Sequence, residues 1–154
     1  MRLFAPLLSL LILVAVACNK DKFQTKPTIT ITSMSGDYIP LNGSWQVTLE
    51  CTDKEGDVQD SIFVVKRRLN KRVVPTIRDT LRFKFPVFPT KTRTEIVLTF
   101  DYQSILSAQS PPFIPGSNPP QRELDTLQVK FAVKDNAGNV SDTVISNIIQ
   151  VFRQ

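Results

Sequence analysis

Apolar and polar residues alternate with period two along much of this chain. Trp45, Val47, Leu49 and Cys51 hold one parity, and Gln46, Thr48, Glu50 and Thr52 the other. That is the pattern of a strand with one buried face. Leu127, Val129, Phe131 and Val133 repeat it, as do Ile96, Leu98 and Phe100. Shorter runs at Pro27–Thr32, Ser61–Val65 and Thr76–Phe85, and a last one from Val140 to Phe152, bring the expected strands to about seven. Turn residues separate them: Gly36-Asp37, Asn42-Gly43, the loop Thr52–Asp60, a basic hairpin Lys66–Arg72, and Asp135–Asn139. Ser104–Glu123 has no period and holds five prolines. No run reads at helical period. Short strands, recurrent turns and no intervening helix predict an all-β fold, a single antiparallel β-sandwich of about seven strands over residues 27–154.

The N-terminus follows a different pattern. Arg2 is the one charge in the first seventeen residues, and Leu3–Ala17 is an uncharged run of fifteen. A membrane-spanning helix needs about 20 apolar residues, so this run is short for a span and reads as a signal peptide, residues 1–17. Ala15-Val16-Ala17-Cys18 resembles the bacterial lipobox. The resemblance implies cleavage before Cys18, lipid on its thiol and amine, and a tether through residues 18–26. Each buried CH₂ of an acyl chain contributes about 0.8 kcal/mol, so several chains on one residue hold a domain to a bilayer. Asn19-Lys20-Asp21-Lys22 is similar to the export signal of surface lipoproteins of Bacteroidota. It implies an outer-membrane location, with the cell surface favoured over the periplasmic face.

The strand order over Pro27–Phe152 resembles an immunoglobulin-like or cadherin/PKD-like domain. The segment VKDNAGNVSDTV, from Val133 to Val144, is similar to the F–G hairpin of bacterial Ig-like modules. Such folds host many activities, so the likeness bears on architecture and not on chemistry.

Composition narrows the chemistry. The chain has no histidine, which removes His-based acid–base and nucleophile pairs and most zinc or copper sites. With Cys18 lipidated, Cys51 stands alone, on the buried parity of its strand, as a small core residue. Catalysis is not expected.

Three features could carry function. Asp53, Glu55 and Asp57, with Asp60 following, lie in the loop after the Trp45 strand, and Asp135, Asn136 and Asn139 lie in the last turn. In a sandwich of this topology the two loops emerge at one end, and hard oxygen ligands there suit Ca²⁺. The alternative is ordinary turn chemistry, which favours the same residues. The second feature is basic: Lys66, Arg67, Arg68, Lys71 and Arg72 place five cations in seven residues. They suggest either a face for an anionic glycan or lipopolysaccharide phosphates, or a solvated strand edge. Nucleic acid is not expected, because no aromatics interleave with the cations. The third is the proline-rich stretch, where Phe113 and Ile114 form an apolar tip that could dock into an envelope protein or fold back over the sandwich. The expected role is a membrane-anchored binding or adhesion module. The alternative is a structural or accessory subunit of an envelope complex.

Overall fold

The computed structural model describes residues 26–75, 78–108 and 111–153. The expected signal peptide, Cys18 and most of the linker lie outside the described residues. Two sheets pack face to face. The first is antiparallel, with strand β1 (Thr28–Met34) beside β3 (Ser44–Thr52) and β3 beside β6 (Arg93–Asp101). The second runs from β5 (Thr80–Lys84) through β4 (Ser61–Arg68), β7 (Asp125–Lys134) and β9 (Ile149–Val151) to β2 (Tyr38–Ile39), with β8 (Val144–Ile145) also on β7. Taking β1, β3, β4, β6, β7 and β9 as strands A, B, C, E, F and G gives the two-sheet order of an immunoglobulin-like sandwich, with β5 as C′ and the D position empty.

The inward faces match the period-two expectation. Trp45, Val47, Leu49 and Cys51 are all buried, as are Leu127, Val129, Phe131 and Val133. At the centre Trp45 packs on Phe100 and Phe131, with ring centroids 5.5 and 6.4 Å away, and its Nε1–H donates to the Gly36 carbonyl at 3.0 Å. Burying a ring of this size while satisfying its one polar atom is what makes Trp useful in a core.

Several local expectations are corrected. The described residues hold nine strands. The extra pair arises because Tyr38–Ile39 pairs with β9, in parallel, and because the last run breaks into β8 and β9. Ser146 causes the break: its Oγ accepts from the Val129 amide at 2.9 Å, replacing a ladder bond. Lys66–Arg68 are not a hairpin but the end of β4, and the next strand begins at Thr80, not Thr76. A five-residue π-helical turn, Tyr102–Leu106, leads from β6 into the aperiodic stretch. No helix among the described residues is long and apolar enough to cross a membrane.

Candidate functional site at the acidic end of the sandwich

Strand β3 runs out of its inward parity at Asp53, and β7 does so at Asp135. Both carboxylates therefore enter the end of the sandwich from opposite sheets. The loop between β3 and β4 is pinned so that Asp57 joins them. Gly56 (φ +70°) lies against the Thr90 side chain and the Lys91 backbone, where a Cβ would come within 2.9 Å of the Lys91 carbonyl carbon. The Gly56 carbonyl accepts from the Lys91 amide at 3.1 Å. Only glycine combines that conformation with that approach. The Asp57 carbonyl accepts from the Asn136 amide at 3.1 Å, tying the two acidic loops together.

The result is a cluster in which Asp53, Asp57 and Asp135 each present an oxygen within 4.8 Å of the other two. Asp53 is 5% exposed and Asp135 1%. Part of the cluster is turn chemistry. Asp135 Oδ1 accepts the Asn139 amide at 2.7 Å and Oδ2 the Asn139 side-chain amide at 2.8 Å, while Asp53 Oδ2 accepts the Asp57 amide at 3.2 Å. Turn chemistry leaves a remainder: Asp53 Oδ1 and Asp57 Oδ1 are buried with no hydrogen-bond partner. A buried, unpartnered carboxylate oxygen is costly, and two side by side more so. Burial first, then the side-chain hydrogen bond that a protonated Asp57 makes to Asp53, and then the charges of Asp135, Asp53 and Glu55 push the Asp57 carboxyl above its ordinary range.

Those are the properties of a cation seat. Ca²⁺ takes oxygens at about 2.3–2.6 Å, so two ligands of one ion lie no more than about 4.6–5.2 Å apart. The 4.8 Å spread meets that limit. Of the ligand candidates expected from sequence, the structure gathers Asp53, Asp57 and Asp135. Glu55 is exposed and outside the cluster, and Asn136 contributes its amide to Asp57 instead of a side-chain ligand. Cys51, two residues from Asp53, is not a soft ligand, because burial first and Asp53 second push its thiol up to about 12.

The basic segment departs from expectation. Alternation along β4 carries the inward face from Ile62 and Val64 on to Lys66 and Arg68, so these two cations point inside. Lys66 is 3% exposed, and its Nζ donates to the Ile105 carbonyl. Arg68 faces Asp125 at 3.6 Å and Asp79 at 4.0 Å, and donates to the Ser107 carbonyl. Arg72 pairs with Glu123 at 2.7 Å. Arg67 and Lys71 are exposed, so the five cations do not form one outer stripe. Sequence reading missed Asp125, which is 0% exposed and joins Arg68 to Arg153. The signal was there in its parity, which is that of Leu127, Val129 and Phe131 on β7.

The buried ammonium has a pH signature. Burial, then Arg68, lower Lys66 to about 8. Between about pH 8 and 10.4 the unfolded chain therefore binds more protons than the native one at this site, and the contribution of Lys66 to stability rises with pH through that window, by about 2–3 kcal/mol, against an opposite trend from the raised Cys51 thiol. Denaturant midpoints of the wild type and of Lys66→Met at pH 7.5 and 10 measure it, and the change between the two pH values should be more positive for the wild type than for the variant. Equal slopes for the two proteins would refute the assignment.

The third feature is an ordered arm. Phe113 bridges to Arg122, whose guanidinium lies 4.2 Å from the Phe113 ring centroid, and the Ile114 amide donates to Gln121. Phe113 and Ile114 therefore lie in the paired stem of the arm and not at its tip, and remain about half exposed, at 50% and 42%. No protein-family model and no curated protein matches this chain.

Proposed function

We propose that this protein is a lipid-anchored envelope module of binding or adhesion type, stiffened by Ca²⁺ at the end of its sandwich. The observation that carries the reading is the trio Asp53, Asp57 and Asp135, with two buried carboxylate oxygens left unpartnered. A cation there joins the β3–β4 loop to the turn after β7. It converts three mutually repelling groups into a cross-link between the two sheets. The chain supplies three carboxylates, and waters complete the shell, which suits the millimolar to submillimolar affinity of extracellular calcium modules. The tether is Cys18, in the outer membrane, displayed at the surface.

The test is a thermal melt of the full chain in detergent, with 10 mM CaCl₂ and then with EDTA. A site filled at about 100 times its Kd adds about 2.7 kcal/mol. The sign of the pH effect follows from Asp57. A carboxyl raised in the folded state contributes stability at low pH that is lost as pH climbs through the carboxylate range. In EDTA the wild type should thus weaken from about pH 4 towards neutrality. Asp57→Asn should flatten that decline, melt higher than wild type in EDTA, and lose the calcium response. A wild-type melt indifferent to Ca²⁺ would remove the cation from this reading.

A second reading, an accessory subunit of an envelope complex, is favoured by the half-exposed Phe113 and Ile114 on an ordered arm. Under it, deleting residues 111–120 releases the chain from a detergent-solubilised complex, and the calcium response is unchanged.

A further inference from the structure

The empty D position leaves both sheets ending on the same side. Between the last strands, β5 and β6, runs a groove of about 700 Å³ lined by Phe83, Phe85, Phe88, Ile96, Leu98 and Phe100. The two edges differ. β5 carries Arg82 and Lys84 and is followed by Pro86, the usual defences against added strands. β6 has no proline, and its outward side chains Arg93, Glu95, Val97, Thr99 and Asp101 carry three charges of mixed sign, with Val97 and Thr99 uncharged between Glu95 and Asp101. Val97 is 51% exposed.

The hydrogen-bonding phase of β6 is set by one contact. The Asp53 amide donates to the Thr92 carbonyl at 2.9 Å, and the register pairs Thr52 with Arg93. Bonds to β3 therefore fall on Thr94, Ile96, Leu98 and Phe100. The amides and carbonyls of Glu95, Val97 and Thr99 point away from β3, along the open edge. Thr94 Oγ1, which lines the groove, is buried without a partner.

We infer that β6 pairs with β6 of a second copy of this chain, antiparallel about a two-fold axis at Val97. The strand is self-complementary in that register. Arg93, which also pairs with Glu50 on β3, falls opposite the partner's Asp101, Glu95 opposite the partner's Thr99, and on the inner face Ile96 opposite the partner's Leu98. Moving the axis one residue on sets Glu95 against the partner's Asp101, and moving it two residues back sets Glu95 against the partner's Glu95. Like charges directly opposite are unfavourable, and moving the axis one residue back sets Arg93 against the partner's Thr99, so of these registers the Val97 axis alone sets opposite charges face to face. The pairing is isologous and closes at two copies. It continues the first sheet from three strands to six and turns the apolar groove of each copy towards the other. The lipid tether on each chain fits this, because confining both copies to one membrane raises their effective concentration.

Opposed residues of a hydrogen-bonded antiparallel pair lie about 5.5 Å apart at Cα, within disulfide range. Val97→Cys in the full chain, oxidised mildly in detergent and run beside the parent, should give a linked dimer on a non-reducing gel. Glu95→Cys should not, because its opposite number is the partner's Thr99. Val97→Pro removes an amide that serves only the open edge, so it should leave the chain monomeric by sedimentation with an unchanged melting temperature. Equal linkage from both cysteines, linkage from neither, or an adduct with a different protein would each overturn the proposal.

Discussion

Asp125→Ala should lower the stability of the domain by about 3–5 kcal/mol, the cost of stranding buried charge. Asp125 accepts the Ala108 amide at 2.7 Å and stands 3.6 Å from Arg68 and 3.8 Å from Arg153. Removing it leaves two largely buried guanidinium groups with one carboxylate fewer between them. Asp79 remains, half in solvent, against Arg68 alone. The arginines also hold main chain: Arg68 donates to the Ser107 carbonyl and Arg153 to the Ala108 carbonyl, so the segment after the π-helical turn loosens too. Urea unfolding of the full chain measures the loss. A drop under about 1 kcal/mol would mean that the cluster is hydrated and that its burial carries little energy. A double replacement, Asp125→Leu with Arg68→Met, should recover much of the loss, since an apolar pair strands less charge than a broken ionic one.

Trp45→Ala should cost a similar amount, about 3–5 kcal/mol, for a different reason. The indole fills the space between Phe100 and Phe131, and the backbone around it is fixed by ladders on both sides of β3, so the cavity cannot close. Its Nε1–H bond to Gly36 holds the β1–β2 turn, and alanine would leave that carbonyl without its donor. Trp45→Phe separates the two contributions: most of the ring is kept, the hydrogen bond is lost, and the cost should fall to about 1–3 kcal/mol. A single tryptophan also makes the wild-type transition legible by fluorescence, because the signal reports this core position alone. Should Trp45→Ala cost no more than Trp45→Phe, the aromatic centre would not be the keystone of the sandwich.

The candidate cation site was half legible before the structure. Asp53, Asp57 and Asp135 were readable as a set because the turn-rich acidic loops that follow strands B and F emerge at the same end in any sandwich of this order. Glu55 looked equivalent to its neighbours in a run of alternate acids. The alternation there belongs to a loop whose path is bent by Gly56 against Thr90 and Lys91, and no local pattern reports that contact. The basic segment failed in the opposite direction. Five cations in seven residues suggested a surface, whereas the parity continuing from Ile62 and Val64 already sent Lys66 and Arg68 inwards. Charge was weighted above period, and period decided.

From the sequence alone came the all-β class, the inward faces of the long strands, the central Trp45, and the expectation of a lipid tether at Cys18. Each rests on local information: a two-residue repeat, a ring too large to expose, a short apolar run ending in cysteine. Tertiary structure decided the rest. It placed Asp125 opposite Arg68 and Arg153, drew Asp57 up to Asp53 and Asp135, and left one edge of β6 open beside an apolar groove. Those outcomes depend on which strands become neighbours, and that choice is made by packing the two faces together. A carboxylate is a turn residue, a salt-bridge partner or a cation ligand according to what the opposite sheet brings within 4 or 5 Å of it, and period two along one strand carries no record of that distance.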